Sequence, residues 1–478
     1  MDLALPRRWQ AAILGAVAVS SLCKIDLALN TFGTNDVYAW ERFAHWAALF
    51  GSGLYAVDPA FNHPPSMIHV LGLLGWLAKT TGIFFPFWLR LPAILADIGS
   101  LWVLFRMFEA RLQEPLIRWG LLLFALSPTL ILVSGFHGNT DSVVMFFLLL
   151  TVWRGEHDAQ SGAAFGAAMC VKILPVIALP VLFFARRDWR RRIEFLASGA
   201  AVIVIAWSPY LFRNPADIYR QVVHYSSIYG HWGLTWVAAW HMPFFRDSWH
   251  EAFQRWGAYG SLAIISAAAW VVNRRPDRPP VYAQTGAALF FFLAVANGFG
   301  VQYLAWLVPW TVGVSLIPAG FFALASGAFL FAVYNFWAGG FPWFLADSNY
   351  VGDFVPHLDY LLTLCWISVI VLACVVWRRR PAMPSRGTVL AAVALAIPLV
   401  VWPVWNQVIR VDRRTYPAAA DRTALAGIHA REYAMLSEAY YKMGRYADAL
   451  AAATVAVRLA PDDEAANAAL AEAQSRRY

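Results

Sequence analysis

Ionisable side chains that interrupt long apolar stretches are the features of this sequence best suited to chemistry. Asp36 follows the first apolar stretch, and Lys172 lies in the middle of another. A carboxylate between water and lipid can take a proton from a polar reactant, and a buried ammonium can neutralise a phosphate. Both groups also have structural explanations: Asn35 and Asp36 would cap the helix that follows. Lys172 would form a buried ion pair with Asp97 or Asp141.

The turn FHGNTD, residues 136–141, places a second group of polar side chains between two apolar segments. It carries His137, Asn139 and Asp141. Non-helical backbone at membrane depth is tolerated where it lines a cavity, so these three residues are candidates for substrate binding. Asp141 has a simpler explanation as well, since it could cap the next helix.

Three further motifs place polar residues near the ends of apolar segments. His63 precedes two prolines, which fix an extended backbone near the interface. His231 lies in HYSSIYGHWG, whose aromatic residues suit sugar stacking and the interfacial belt of Trp and Tyr equally. Gln302 and Tyr303 open an apolar segment after NGFG, where Tyr303 could also be an interface anchor. These four residues complete the set of candidate substrate-binding side chains.

The composition identifies the class of protein that must position these groups. Of 478 residues, 60% are hydrophobic and only 14% are charged, whereas an ordinary soluble domain has about 25% charged residues. So few charges cannot cover a water-exposed surface, which excludes a soluble enzyme, a disordered chain and a disulfide-built secreted domain. The four cysteines lie in apolar stretches without the spacing of a metal site. The sequence therefore predicts an all-α polytopic membrane protein.

Apolar segments of about 20 residues, the length that crosses a bilayer, recur through the chain. The predicted spans are 9–29, 66–85, 88–108, 116–135, 161–185, 193–212, 258–273, 281–299, 301–317, 319–337, 358–377 and 387–405. A shorter segment, 141–153, is expected to be tilted, re-entrant or half of a broken helix. The total is about 12 or 13 transmembrane helices, which make 1–405 the membrane module and 406–478 a separate C-terminal domain.

Clusters of arginine set the expected orientation of these spans. The cytoplasmic side should hold Arg7, Arg8 and the basic clusters 186–192, 274–278 and 378–386. The loops 30–65, 213–257 and 338–357 and the C-terminal tail should then lie outside. The same scheme places Arg106, Arg111 and Arg118 outside and the 136–141 turn inside. The turn could reach the outer side only if a neighbouring hydrophobic segment is re-entrant.

Two helical patterns lie outside the predicted membrane spans. Residues 34–50 alternate an apolar face with a polar face that carries Glu41, Arg42 and His45, as in a helix that lies in the membrane interface with its aromatic residues in the lipid. Residues 429–461 carry one tetratricopeptide-like repeat, with its characteristic residue types at Leu436, Ser437, Tyr440, Gly444, Tyr446, Ala449, Ala456 and Pro461. One repeat cannot bury its own face, so we expect it to pack on the membrane module or on a protein partner. A plain alanine-rich hairpin is the alternative.

The order of several short motifs resembles the integral-membrane glycosyltransferases of the GT-C fold, in particular bacterial enzymes that use polyprenyl-phosphate sugars. The motifs are Asp36, Tyr38, GLY at 53–55, NHPP at 62–65, LPAILAD at 91–97, Ser127-Pro128, GFHGNTD at 135–141, GAAMCVKILP at 166–175, YGHWG at 229–233 and VQYLAWLVP at 301–309. They extend over residues 9–337, roughly. In that family the proposed catalytic base is a carboxylate in the first external loop, and the resemblance transfers this role to Asp36.

The resemblance implies transfer of a hexose from a polyprenyl-phosphate donor to an acceptor at the extracytoplasmic face, with inversion of the anomeric carbon. The lipid phosphate is itself the leaving group, so no nucleotide site is needed, and the chain has no phosphate loop. Asp36 would be the base, and Lys172, His137 and His63 would act on the phosphate. Many relatives have a second acidic residue beside the first. Here Asn35 takes that place, so an Asp–Asp metal site is not expected, although a divalent cation is left open.

Three other function classes compete with this interpretation. A lipid-linked sugar transporter or flippase would use Lys172, Asp97 and Asp141 as a charged pathway, but the repeated span pattern of transporters is missing from the sequence. A polysaccharide ligase or polymerase would more naturally rely on external Arg and His. A scaffold would use the C-terminal domain to recruit proteins. No feature indicates nucleic acid binding, and the expected location is a bacterial cytoplasmic membrane.

Overall fold

The computed structural model describes residues 5–225, 232–235, 237, 246–296, 298–348, 356–377, 383–405, 422–442 and 445–475. Within these residues the two strands, β1 (Gly33–Thr34) and β2 (Leu345–Ala346), form one short parallel pair. The α-helices in chain order are α1 (Arg7–Asn30), α2 (Asn35–Phe50), α3 (Leu54–Val57), α4 (Ser66–Thr81), α5 (Phe85–Met107), α6 (Pro115–Ala125), α7 (Pro128–Leu132), α8 (Asp141–Trp153), α9 (Asp158–Val171), α10 (Leu179–Ala185), α11 (Trp189–Leu211), α12 (Pro215–Ile218), α13 (Arg246–Arg274), α14 (Val281–Ala294), α15 (Leu316–Trp337), α16 (Pro356–Val375), α17 (Arg386–Ala396), α18 (Arg422–Lys442), α19 (Tyr446–Leu459) and α20 (Glu464–Ser475). Turns of 3-10 type cover Gly51–Gly53, Glu109–Arg111, Leu174–Ala178, Val301–Trp306 and Val308–Thr311, and π-type turns cover Val133–His137, Tyr219–Val223 and Ile397–Val401.

Seven helical segments of the described chain are long and apolar enough to cross a membrane. They are Arg7–Asn30, Phe85–Met107, Pro115–His137, Trp189–Leu211, Leu316–Trp337, Leu358–Val375 and Arg386–Trp405. Shorter apolar helices cover Asp141–Trp153, Leu174–Ala185 and Val281–Ala294. The chain is therefore an all-α polytopic membrane protein, as its composition predicts. The total of about 12 or 13 spans stays a prediction.

Contacts with the two ends of α1 define two ends of the helix bundle. At the carboxyl end of α1, Arg90 of α5 donates a hydrogen bond from Nη1 to the Thr31 carbonyl over 3.0 Å. At the amino end, the Arg118 guanidinium lies 5.3 Å from the centre of the Trp9 ring. We call these the Asp36 end and the basic end. Helix α5 therefore begins at the Asp36 end, and the loop that follows it lies at the basic end.

This arrangement leaves α4 at the Asp36 end, because the segments before and after it both lie there. Ile68 and Leu71 of α4 are buried, and they join the apolar cluster formed by α2, whereas Leu73 and Trp76 are exposed. The prediction that 66–85 crosses the membrane is wrong, since apolar composition alone cannot distinguish a helix lying along an interface from one that crosses. Arg118 lies beside Trp9, so the prediction that the loop after α5 lies at the opposite end from Arg7 and Arg8 is wrong, whereas the side of the membrane that this loop faces stays a prediction.

The predicted span 161–185 is a hairpin with Lys172 at its turn. Helix α9 ends at Val171, the backbone of Lys172 is extended with φ of −149°, and α10 returns to the basic end. The Arg186 Nε atom consequently lies 2.7 Å from Asp158 Oδ1, next to the start of α9. The single span predicted here is wrong as well. One crossing is lost at α4 and one is gained here, so the predicted side of the tail does not change.

Close packing of α9 on α11 fixes the depth of this hairpin. A Cβ atom at Gly162 or Gly166 would collide with carbonyl oxygens of α11, at Phe195 and Gly199 respectively. Glycines four residues apart let two membrane helices approach at backbone distance. The contact holds the end of α9, and with it Lys172, at one position along the bundle.

The C-terminal helices α18, α19 and α20 form a small unit that packs on α2. Within it, Ser437 is buried and donates from Oγ to the Ala449 carbonyl over 2.8 Å. The Tyr440 ring lies 5.8 Å from the ring of Phe50, at the end of α2. The tail thus packs on the membrane module, one of the two outcomes expected. Its identity as a tetratricopeptide repeat stays a prediction.

Helix α2 is covered by protein over most of its surface, although His45, Ala48 and Leu49 are exposed. Trp40 and Trp46 are 2% and 1% exposed, so the prediction that its aromatic residues dip into lipid is wrong. Arg42 is buried and pairs with Asp58 over 2.9 Å. Burial raises the pKa of Glu41 most, and the negative charge of Glu432 on the tail raises it further, to about 7. Sequence periodicity identified the amphipathic helix but not the tail that covers its polar face.

Candidate active site

A tight connection that requires glycine joins α1 to α2 and positions Asp36. The Arg90 guanidinium is fully buried and donates to the carbonyl oxygens of Thr31 and Phe32, just beyond the last turn of α1. Gly33 has φ of +108°, and a Cβ atom there would collide with the same guanidinium. Only glycine adopts this backbone without strain. The connection then pairs with β2, so α2 starts at a fixed point with Asp36 in its first turn.

Asp36 accepts two hydrogen bonds on one carboxylate oxygen. The His137 Nε2 atom lies 3.0 Å from Oδ2, and the Asn139 Nδ2 atom lies 3.2 Å from the same oxygen. On the far side of the imidazole, the Tyr334 hydroxyl lies 3.0 Å from His137 Nδ1. A neutral His137 with its proton on Nε2 satisfies all of these contacts, since Tyr334 then donates to Nδ1; we assign this tautomer from the network. Tyr334 therefore aims the His137 N–H at Asp36.

The surroundings of Asp36 keep it ionised while leaving part of it accessible. Its side chain is 36% exposed, whereas His137 is almost completely buried. Burial raises the pKa of Asp36, but the hydrogen bond from His137 and the positive charge of Lys172 outweigh it and hold the pKa below its ordinary value. Within the described chain, both hydrogen bonds reach Oδ2, so Oδ1 remains to accept a proton.

Lys172 joins the same network through Asn139. Its Nζ atom donates to Asn139 Oδ1 over 3.1 Å and to Asp141 Oδ1 over 2.7 Å. The Trp306 indole donates to the same Asp141 oxygen over 2.6 Å, and Asp141 Oδ2 is buried without a hydrogen bond partner among the described residues. The Lys172 side chain is 15% exposed. An ammonium has three N–H donors, so one remains for a ligand.

His63 packs against an aromatic side chain close to the charged residues Asp36 and Lys172. Its ring stacks on Trp40 with 4.0 Å between ring centroids. Burial lowers the pKa of His63 most, the charge of Lys172 lowers it further, and Asp36 partly opposes them, which leaves a pKa of about 3. His63 is therefore neutral at physiological pH, and it can donate or accept a hydrogen bond without adding a positive charge.

The structure brings five of the predicted site residues into one hydrogen-bonded network: Asp36, His137, Asn139, Asp141 and Lys172. Tyr303 is one contact away, since its ring stacks on Trp306 at 3.9 Å. The Gln302 amide lies next to Gly300. His231 lies outside the described residues. The roles of all these residues in binding and catalysis stay predictions.

The sequence left open which aspartate pairs with Lys172 and whether Asn35 and Asp36 cap α2, and the structure shows the contacts of these residues. Lys172 pairs with Asp141, whereas Asp97 pairs with Lys24 over 2.6 Å. Asn35 accepts a hydrogen bond from Ser348 over 3.2 Å, and Asn35 and Asp36 lie inside the first turn of α2, after Thr34 at the cap position. Sequence reasoning considered only Lys172 as a partner of Asp97 and missed Lys24.

Three side chains that build the site were also missed. Arg90 is a charge inside an apolar span, which is itself a signal of function or of structural cost. Tyr334 and Trp306 carried a weaker signal, since polar aromatic residues are common near the ends of spans. In the described part of the chain, no group of three or more His, Cys, Asp or Glu could hold a metal ion.

Comparisons with known proteins give two matches to this chain. The sequence model of glycosyltransferase family 87 matches residues 61–296, a range that includes His63, His137, Asn139, Asp141 and Lys172 but not Asp36. The chain is also similar to GPI mannosyltransferase 1 of Trypanosoma brucei brucei, with 22% identity over 277 residues. The aligned part is 52% of this chain and 61% of that protein. No solved structure matches the chain. Together the two matches support a membrane glycosyltransferase.

Proposed function

We propose that this protein transfers a hexose from a polyprenyl-phosphate-linked donor to an acceptor hydroxyl, with Asp36 as the general base. One observation carries the proposal. The Asn139 amide donates to Asp36 from Nδ2 and accepts from Lys172 at Oδ1, so a proton acceptor and a cation lie at opposite ends of one side chain. Base-assisted transfer with a phosphate leaving group needs these two groups close together.

The reaction follows from the two ends of this network. The acceptor hydroxyl would give its proton to Asp36 Oδ1 while its oxygen bonds to the anomeric carbon. The bond from that carbon to the phosphate oxygen breaks on the opposite face, which inverts the anomeric configuration. The departing polyprenyl phosphate carries the electron pair, and the third N–H of Lys172 would stabilise the new negative charge.

His137, Asn139 and Tyr334 would keep the base ready between turnovers. The hydrogen bonds to Oδ2 stabilise the carboxylate form, so Asp36 is ionised over the whole physiological range. Their fixed directions leave Oδ1 for the acceptor. A buried, prearranged set of donors needs little reorganisation during the reaction.

The sidedness of the site is part of the proposal. The basic end of the bundle holds Arg118 and the 186–192 cluster, so the positive-inside rule assigns it to the cytoplasm and assigns the Asp36 end to the outside. The tail packs on α2 at the Asp36 end. We expect alkaline phosphatase fused after Tyr478 to be active and a cytoplasm-only reporter at the same place to be silent. The opposite pattern would invert the sidedness of the site.

The donor class is tested with purified protein and radiolabelled sugars. Mannosyl and glucosyl polyprenyl phosphates form one set of donors, and the matching nucleotide sugars form the other. The name of the trypanosome relative makes mannose the first sugar to try. We expect transfer from the lipid-linked set only, to an acceptor hydroxyl in a membrane extract, with inverted configuration measured by NMR. Transfer from nucleotide sugars alone, or polymerisation of the donor lipid without an added acceptor, would contradict the proposal.

A further inference from the structure

A cavity of about 620 Å³ opens at the basic end of the bundle, opposite to Asp36. Its lining comes from the ends of α5, α8, α10 and α16, from the segment before α11, and from the loop that leads into α14. The volume lies within the range of pockets that hold small amphiphilic ligands, about 300–1,000 Å³. This cavity takes no part in the sugar-transfer network described above.

The charges around the cavity favour an anion. Four arginines line it, Arg111, Arg186, Arg191 and Arg278, against one carboxylate, Glu156. Arg186 and Arg191 share Asp158, with N–O distances of 2.7 and 2.6 Å, so two positive charges meet one negative charge. Arg111 is paired with Glu114 over 2.7 Å.

Arg278 is the cation of this set without an acidic partner in the described chain. It donates from Nη1 to two neutral oxygens, the Ala185 carbonyl at 3.0 Å and Asn273 Oδ1 at 3.2 Å. Burial lowers the pKa of Arg278 first and the like charge of Arg187 lowers it further, and no carboxylate opposes them. A half-buried arginine held in place by neutral acceptors is prearranged for a ligand that brings its own negative charge.

The remaining walls suit a hydrocarbon chain. Phe108, Trp153 and Tyr282 also line the cavity. The whole lining lies at the ends of membrane-crossing segments, where lipid headgroups are found. Basic pockets between membrane helices on the cytoplasmic side bind anionic lipid headgroups.

We infer that this cavity binds the phosphate of an anionic membrane phospholipid, with Arg278 as the principal contact and the acyl chain along the aromatic wall. The site is independent of the sugar-transfer proposal. It concerns the opposite end of the bundle, and its readout is lipid binding and thermal stability rather than transfer.

The test uses purified full-length protein in a neutral detergent, with phosphatidylglycerol, phosphatidylcholine or inorganic phosphate added separately. We expect phosphatidylglycerol to raise Tm while the other two do not. The Arg278→Gln protein should bind phosphatidylglycerol about tenfold more weakly, the loss expected for one charge-assisted hydrogen bond. Arg275→Gln is the matched control, since Arg275 is exposed on the same loop outside the cavity, and it should retain the wild-type affinity.

A second variant keeps the inference testable if Arg278→Gln does not fold. Glu156→Gln removes the one carboxylate of the lining from an exposed position and should strengthen phosphatidylglycerol binding. Equal Tm shifts with phosphatidylglycerol and phosphatidylcholine would overturn the inference. So would a full shift with inorganic phosphate alone, or unchanged phosphatidylglycerol affinity in both Arg278→Gln and Glu156→Gln.

Discussion

Two buried lysine–aspartate pairs of nearly equal length lie in this bundle, and they differ in what surrounds them. Lys24 and Asp97 are 2.6 Å apart and each is 5% exposed. Lys172 and Asp141 are 2.7 Å apart, but Lys172 is 15% exposed and also reaches Asn139. Among the described residues, the first pair bonds only to itself, whereas the second continues through Asn139 to the accessible carboxylate of Asp36.

The difference teaches that a buried charge is not by itself a sign of a site. Charged groups in a membrane interior are costly wherever they occur, and a closed pair can simply join two helices, as Lys24 of α1 joins Asp97 of α5. An open network has spare donors and acceptors that face a cavity or solvent. Connection to an accessible group is therefore the better criterion for function.

The largest expected effect is at the accessible end of the open network. Asp36→Asn nearly preserves the shape of the side chain but removes the base, so the transfer rate should fall by about a hundredfold or more. Radiolabelled transfer from the lipid-linked donor measures it. Asp26→Asn is the matched control, because Asp26 is an exposed carboxylate on α1 bonded only to Asn30 in the described structure. Near-normal transfer by a folded Asp36→Asn protein would remove Asp36 from the mechanism.

Double variants that remove both charges of each lysine–aspartate pair distinguish a structural pair from a functional one. The double variant Lys24→Met with Asp97→Leu should fold and keep its transfer rate, because replacing both partners of a buried pair is often neutral for stability. Lys172→Met with Asp141→Leu should also fold, but its KM for the donor should rise about 10–100-fold, since a charged donor to the phosphate is lost. The two proteins are compared by thermal unfolding and by donor titration. Equal KM values would make both pairs structural.

The third prediction concerns pH. Because the hydrogen bond from His137 and the positive charge of Lys172 hold the pKa of Asp36 below its ordinary value, the wild-type base stays ionised as the pH falls through the usual aspartate range. His137→Gln can keep one N–H near Asp36 but removes the imidazole that Tyr334 aims at Oδ2, so the pKa of Asp36 should rise. The acid limb of the kcat/KM profile should then move to higher pH, and the rate at neutral pH should fall about tenfold.

The control for this pH experiment comes from a second histidine–tyrosine contact. His69 lies 3.0 Å from the Tyr210 hydroxyl, between α4 and α11, and its contacts in the described structure do not include Asp36. The His69→Gln protein should keep the wild-type pH profile. An unmoved acid limb in His137→Gln would show that His137 does not set the pKa of Asp36.

Sequence was sufficient for the class of protein, for most helix positions and for five residues of the network. Motif order and apolar periodicity are local properties, and they located Asp36, the 136–141 turn and Lys172. Prediction from the sequence failed where the path of the chain depends on residues distant in the sequence. An apolar stretch such as 66–85 has the same composition whether it crosses the membrane or lies against α2. The pairing of Lys172 with Asp141 rather than Asp97 depends on the turn of a hairpin that hydropathy does not reveal.

The smallest expected effect is at the buried end of the network, where Tyr334 contacts His137 but not Asp36. Tyr334→Phe keeps the ring, which lies 5.7 Å from the imidazole ring, and removes only the hydroxyl. A neutral hydrogen bond contributes about 0.5–1.5 kcal/mol, so kcat should fall about two- to tenfold with little change in donor KM. Without the hydroxyl, His137 is free to place its proton on Nδ1, and the bond to Asp36 is then lost in part. The acid limb should therefore shift in the same direction as in His137→Gln, but less.

Tyr210→Phe removes the matching hydroxyl from His69 and should leave both kcat and the pH profile unchanged. A fall in thermal stability with an unaltered pH profile would make Tyr334 a packing residue and end the network at His137.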